Sequence, residues 1–407
     1  MEQNNQNQNI NQNNIPLNQQ SLRNLAIQNN NNINNNQANL IQNNNDEINN
    51  SDNYSFSRYT KAIKTSLKTL GDTSYLNAVL FCLGNIRNLA SFFLNPKNQN
   101  YINNNIGTMP LSYVFERVLV HFYPYPETEI IEKYEPSSFL SVLSKFNIVY
   151  NSFQRRNPND LIIFILNTLN KELNTAKNDN LNLKVNIYDK NNVIKNGIKK
   201  FKGTENSIIS KNFNWFEIKE SKCPQCNYSV FEFQTFNTLS LELEKAYFKI
   251  QNQKEFLTIY DCLEYYRTTL QKKLFCKKCN NFTTMPLNTK IFCSPNNFIF
   301  LLDRGVDFTN NNKRLSIPFF TSVKIELGNF IENEQAPKNY ELIELLSIDI
   351  RSKSYVSFCM SPVDKNWYHY NNEISEKVNI MDIIDRHNNF KELIPCILIY
   401  KANDKIN

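Results

Sequence analysis

Residues 67–78 read Leu67-Lys68-Thr69-Leu70-Gly71-Asp72-Thr73-Ser74-Tyr75-Leu76-Asn77-Ala78, and they set a hydroxyl at the start of a helix. From Ser74 onward, Leu76, Val79, Leu80, Leu83, Ile86, Leu89 and Phe92/Phe93 recur at helical spacing, which predicts one helix over 74–93. Asp72 and Thr73 stand where caps belong. The positive end of a helix dipole favours an ionised nucleophile in the first turn, the setting a reactive cysteine needs. Here the residue is serine, whose hydroxyl starts from a far higher pKa than a thiol.

Outward from this stretch, the same periodicity predicts helices over 111–122, 137–146 and 160–173, the last with Leu161, Phe164, Ile165, Thr168 and Leu169 on one face. Residues 174–220 are polar, rich in lysine and asparagine, and read as loops and short strands. Beyond Glu232 the pattern alternates: Phe233, then Thr238 to Leu243, Asn297–Leu302, Tyr355–Met360 and Cys396–Tyr400 all read as strands. Helices followed by strands give an α+β chain. No internal repeat is apparent.

Cys223-Pro224-Gln225-Cys226 and Cys276-Lys277-Lys278-Cys279 are two knuckles of the kind that supply four thiolates to a zinc ribbon. Such a site is closed and structural, because catalysis needs an open coordination position. The other five cysteines, Cys82, Cys262, Cys293, Cys359 and Cys396, lie in apolar runs and read as buried small hydrophobes.

The first 53 residues form an Asn/Gln-rich tract too poor in apolar side chains to offset chain entropy, so residues 1–53 read as a disordered tail. A folded domain is expected over 54–403, helical over 54–175 and strand-rich over 176–403, with the ribbon at about 218–285. Net charge is +7, from 45 basic and 38 acidic residues. Short clusters such as Lys199-Lys200-Phe201-Lys202 do not make a long basic block, so nucleic acid is a weak candidate partner. No apolar run spans a bilayer and the N-terminus has no signal-peptide core, so no membrane partner is expected. Cysteines in knuckles and apolar runs, rather than a disulfide framework, point to a reducing compartment, cytoplasm or nucleus.

The 69–77 stretch resembles the cysteine box of ubiquitin-specific proteases, Asn-x-Gly-Asn-Thr-Cys-Tyr-Met-Asn. Ser74 stands at the nucleophile position and Thr69 at that of the oxyanion-stabilising asparagine. Further boxes follow in order. Tyr134–Phe139 resembles a Pro-x-x-Phe helix start, and Phe153–Ile162 occupies the Gln-x-Asp-Ala-x-Glu-Phe-Leu box, of whose polar residues only Asp160 survives. The knuckles flank Leu239-Ser240-Leu241, as in the family's fingers, and Pro295–Arg304 resembles a core strand of the family. Lys353-Ser354-Tyr355-Val356 resembles the Gly-His-Tyr box, with Ser354 at the general-base position. Trp367-Tyr368-His369-Tyr370-Asn371-Asn372 resembles the Trp-x-x-Phe-(Asp/Asn)-Asp box, with Asn371 or Asn372 as third triad member.

The resemblance implies a papain-like fold of thumb, palm and zinc-ribbon fingers, with ubiquitin or a ubiquitin-like protein as partner and Asp160, Tyr355 and Trp367 as substrate contacts. With serines at both the nucleophile and base positions, it implies a pseudoenzyme serving as a binding or scaffold module. A weakly active deubiquitinase recruiting Ser74 and His369 is the alternative, and a zinc-ribbon nucleic-acid binder ranks last.

Overall fold

The computed structural model describes residues 61–403 apart from 99–101, 103–109, 126–132, 178–182, 251–253, 269–270, 307–312, 373–374 and 390–391. The Asn/Gln tail expected over 1–53 lies outside the described residues.

The helical layer begins with α1 (Ser74–Asn85), every residue of which is buried. The single helix expected over 74–93 is in fact two, because the chain turns by 84° into α2 (Arg87–Leu94). Ile86 is extended at the break (φ −72°, ψ 107°), and the Asn85 amide donates to the Phe81 carbonyl at 2.9 Å, taking a backbone acceptor of the last turn. The spacing of apolar residues carries straight across the bend and conceals it. Thr73 occupies the N-cap without capping the helix by its side chain. Its hydroxyl instead accepts from the Leu70 N–H at 2.9 Å and closes the preceding loop.

Helices α3 (Leu111–Phe122), α4 (Ser137–Phe146) and α5 (Pro158–Glu172) match the expected spans to within two residues. The 174–220 segment does not. It contains α6 (Lys190–Thr204) and α7 (Ile208–Phe213) before the first strand. Only Val193 and Ile194 of α6 are buried, so no apolar stripe announces it. Its start is set by Asp189, whose carboxylate accepts from the Asn192 N–H at 3.1 Å.

Two sheets follow. The first has strand order β2-β1-β5-β4, from β1 (Trp215–Lys222), β2 (Ser229–Phe236), β4 (Gln271–Cys276) and β5 (Asn281–Cys293). The second runs β11-β10-β9-β8-β12-β6-β3, with β7 (Lys324–Glu326) beside β8. Its members are β3 (Leu239–Leu241), β6 (Asn297–Leu302), β8 (Asn339–Asp349), β9 (Ser354–Met360), β10 (Trp367–Tyr370), β11 (Ser375–Val378) and β12 (Leu393–Ala402). Helices α8 (Leu243–Ile250) and α9 (Ile259–Thr268), not anticipated from sequence, lie between β3 and β4; α10 (Ile380–Asn388) precedes β12.

One apolar core joins α1–α5 and α7 to a face of the larger sheet. Phe81 of α1 stacks on Tyr370 of β10 at 4.4 Å and on Phe122 of α3 at 5.1 Å, so α1 is clamped between helices and sheet.

Candidate active site and metal centre

The start of α1 meets the start of β9. Ser74 is 3% exposed, and its Oγ accepts a hydrogen bond from the Tyr355 N–H at 3.1 Å. Ser354, one residue earlier, opens β9 with its hydroxyl 2.7 Å from that of Ser352. Asn371 follows β10, the neighbour of β9 in the sheet. Ser74, Ser354 and Asn371 are therefore brought to one end of the helix–sheet junction.

Asn372 is left-handed (φ 63°), its carbonyl accepts from the Leu67 N–H at 2.9 Å, and its Oδ1 accepts from the Asn77 amide at 3.0 Å. Asn77 is fully buried and also reaches the Leu67 carbonyl at 3.3 Å. It pins the 67–73 loop to the Asn372 turn, a role visible only once residues 295 apart in sequence are seen together.

Arg155 bridges the two sides of the junction. Its guanidinium pairs with Asp72 at 3.1 Å, two residues before Ser74, and donates to the Lys353 carbonyl at 2.9 Å, one residue before Ser354. Lys353 is left-handed (φ 51°), the conformation in which a glycine is least strained. On the other side, Gly71 (φ 66°) lies so close to Phe153 that a Cβ would fall 2.7 Å from the Phe153 Cβ. Thr69 is half-buried at the start of this loop.

The histidines do not reach Ser74. His369 pairs with Phe358 across β9–β10, stacks on its ring at 4.6 Å, and sets Nδ1 3.0 Å from Glu376. Phe358 is four residues along β9 from Ser354, about 13 Å at strand rise. His387 of α10 is buried: Nδ1–H donates to the Ile383 carbonyl at 2.7 Å, which leaves Nε2 to accept from the Ser347 hydroxyl at 2.6 Å. Burial lowers its pKa from 6.5 to about 4. His121, near the C-terminal end of α3, is occupied with its own helix through Nδ1 and the Arg117 carbonyl.

Of the side chains expected to meet a substrate, Tyr355 and Trp367 are buried, at 1% and 9% exposure. Tyr355 contributes its backbone N–H to Ser74 instead. Asp160, in the first turn of α5, is exposed and lines a cavity of about 360 Å³ with Asn147, Tyr150, Phe164 and Lys171. Partial burial, then the charge of Asp303, raises its carboxyl above the ordinary value.

The four knuckle cysteines converge at the tip of the smaller sheet. Cys223 and Cys279 sulfurs are 3.9 Å apart, and those of Cys226 and Cys276 3.5 Å. A tetrahedron with metal–sulfur bonds of about 2.3 Å needs sulfurs about 3.8 Å apart. Each knuckle is followed by a left-handed asparagine, Asn227 (φ 58°) and Asn280 (φ 54°), which turns the chain back beneath its sulfurs. Cys223 N–H donates to the Tyr228 carbonyl at 2.9 Å and closes the first loop. This thiol set can hold a metal ion.

Residues 65–400 match the family model described as ubiquitin carboxyl-terminal hydrolase. The chain is similar to "Probable ubiquitin carboxyl-terminal hydrolase 1" of Schizosaccharomyces pombe, 27% identical over 113 residues, covering 26% of this chain and 13% of that protein. It is also similar to "Ubiquitin carboxyl-terminal hydrolase 4" of Saccharomyces cerevisiae, 22% identical over 291 residues, covering 65% and 30%. The matches thus span about a third or less of these curated relatives' length. Among solved structures, the SAGA DUB module of Ubp8, Sgf11, Sus1 and Sgf73 bound to monoubiquitin aligns with TM-score 0.60 at 16% identity, covering 86% of this chain and 70% of that one. The same module bound to ubiquitin aldehyde aligns with TM-score 0.59 at 17% identity, covering 85% and 70%. These likenesses establish the fold.

Proposed function

We infer what this protein does from one premise: it belongs to the ubiquitin carboxyl-terminal hydrolase family. We propose that it is a ubiquitin-specific-protease-like domain that keeps the fold without the chemistry and serves as a ubiquitin-binding or scaffold module. Acyl transfer from a ubiquitin C-terminus needs an activated nucleophile, a base within hydrogen-bond reach and an oxyanion donor. The observation that carries this reading is the state of Ser74: buried, and bonded to a backbone N–H rather than to an imidazole. Ser354 has no proton affinity near neutrality, and His369 is held on Phe358 and Glu376. Arg155 ties Asp72, two residues before Ser74, to Lys353, one residue before Ser354.

Zinc in the Cys223, Cys226, Cys276 and Cys279 cluster would be structural, a closed four-thiolate site that holds the fingers together. The cysteines lie in the metal knuckles or are buried in the core rather than paired in disulfides, which supports a reducing compartment, cytoplasm or nucleus. Binding is supported by the ubiquitin-bound modules whose fold this chain shares.

Two measurements on the purified full chain test the proposal. Incubation with a fluorogenic ubiquitin substrate is expected to give no cleavage, and titration of labelled ubiquitin is expected to give saturable binding. Turnover that is lost in Ser74→Ala would show a working enzyme, and absence of ubiquitin binding would remove the binding role.

A further inference from the structure

Beneath the helix that begins at Ser74 lies a second group of metal-ligand residues, unrelated to the fingers. Cys82 is on α1; Glu344 of β8 and Cys359 of β9 are direct partners across the sheet. Their exposures are 1%, 0% and 0%, and their ligand atoms all lie within 4.8 Å of one another. Three separate elements therefore aim two thiols and a carboxyl at one point inside the core.

The carboxyl is the anomaly. No described basic side chain forms an ion pair with Glu344; the polar groups against its carboxyl are the thiols of Cys82 and Cys359, the latter within hydrogen-bonding reach. A buried carboxylate without a counter-charge is among the most unfavourable groups a core can hold. Burial favours the protonated acid, which the adjacent thiols satisfy only weakly. The neighbouring polar atoms do not help either: Ser357 Oγ is buried without a partner among the described residues, and the Tyr370 hydroxyl is engaged with the Asn85 side chain. Packing alone would be better served here by an alanine or a leucine, so what the site lacks is a positive charge.

We propose that Cys82, Glu344 and Cys359 form a second metal site, buried and closed, that takes a soft divalent cation of the zinc class and pins α1 to β8 and β9. Two thiolates select a soft ion over magnesium or calcium, and the carboxylate is a good third ligand to zinc. The two thiols, and the carboxyl that burial holds protonated, release their protons to solvent as the ion enters. Three anionic ligands around a divalent ion leave a net charge of −1, smaller than the −2 of a four-thiolate site. A light-atom fourth ligand, for which the Asn85 side chain three residues along α1 from Cys82 is the candidate, would complete a tetrahedron. The ion would sit eight residues from Ser74 on the same helix and fix that helix against the strand carrying Ser354. The site stands on its own geometry and does not depend on whether ubiquitin is bound or cleaved.

The test is metal stoichiometry of the full chain, expressed with zinc and dialysed to constant content. Two zinc ions per chain are expected, falling to one in Cys359→Ala, to one in Cys276→Ser, and to none in the double variant. Because a core variant can misfold, the unmodified protein supplies an independent reading. X-ray absorption at the zinc edge should show a mixed shell, averaging three sulfurs and one lighter atom per ion. One zinc per chain in an all-sulfur shell would overturn the second site, as would a folded Cys359→Ala that still holds two.

Discussion

The Ser74 hydroxyl takes its hydrogen bond from the backbone N–H of Tyr355, 3.1 Å away and 281 residues later in the chain. In an enzyme this hydroxyl would give its proton to a base before it could attack; here its oxygen joins the first turn of α1 to the start of β9. The same atom that looks like a nucleophile in the sequence is a structural acceptor in the fold.

Ser74→Cys alone is therefore expected to leave the protein inactive toward fluorogenic ubiquitin. With no imidazole beside it the thiol has no base to take its proton, and burial at this position opposes the helix dipole that would favour the thiolate. Activity should need Ser74→Cys with Ser354→His, and Arg155→Ala should raise it further by opening the Asp72–Lys353 bridge. Adding Thr69→Asn supplies an oxyanion donor of the kind whose removal costs about 2.7–4 kcal/mol. Steady-state rates across this series check the order; turnover by Ser74→Cys alone equal to that of the double variant would contradict it.

Chelation should act on the fingers before the core. Replacing Cys276 by serine, or stripping metal from the protein, is expected to speed amide exchange in β4 and the knuckle end of β5, because structural zinc contributes folding free energy directly. Exchange in α3 and α5, which pack in the apolar core, should change little. Hydrogen exchange read by mass spectrometry separates the two regions.

His387 should make the protein acid-sensitive. Its folded pKa is lowered to about 4 by burial, against 6.5 when exposed. Below pH 6.5 the unfolded chain takes up a proton that the folded chain refuses, so stability falls as pH drops from about 6.5 to 4. The shift corresponds to about 3 kcal/mol in all. Denaturant midpoints of wild type and His387→Gln, compared across this window, should converge as the pH falls; parallel curves would show that the imidazole is not held neutral.

Gly197→Ala tests why α6 carries a glycine in mid-helix. Helix propensity alone would favour alanine by about 0.8–1.0 kcal/mol. Yet a Cβ at this position would lie 2.3 Å from the Phe233 ring of β2. Overpacking of that kind costs about 1–3 kcal/mol, so a net destabilisation of about 1 kcal/mol is expected in chemical denaturation. Gly197→Ala combined with Phe233→Leu should recover much of it.

What could be read along the chain was whatever is local. The Ser74 box, the two cysteine knuckles and helices α3 to α5 are each written in adjacent or periodic residues. Helix α6 escaped because it buries two side chains and rests a glycine on a neighbouring strand, which leaves no stripe. The bend at Ile86 escaped because apolar spacing continues through it. At the junction, Asn77 and Arg155 act on residues roughly two to three hundred positions away, so no window of sequence shows what they hold. The Cys82–Glu344–Cys359 group is the extreme case: its cysteines read as ordinary small hydrophobes until the fold sets a carboxyl between them.

Strand β5 changes partners halfway along, pairing with β4 from Asn281 to Pro286 and with β1 from Leu287 to Cys293. At strand rise its thirteen residues extend about 43 Å, with one bulge at Phe292 near its end. It starts two residues beyond Cys279 and ends four before β6, so one continuous strand runs from the fingertips to the larger sheet. A protein gripping the fingertips would hold a lever arm, and a small sideways force there would arrive at the palm as torque.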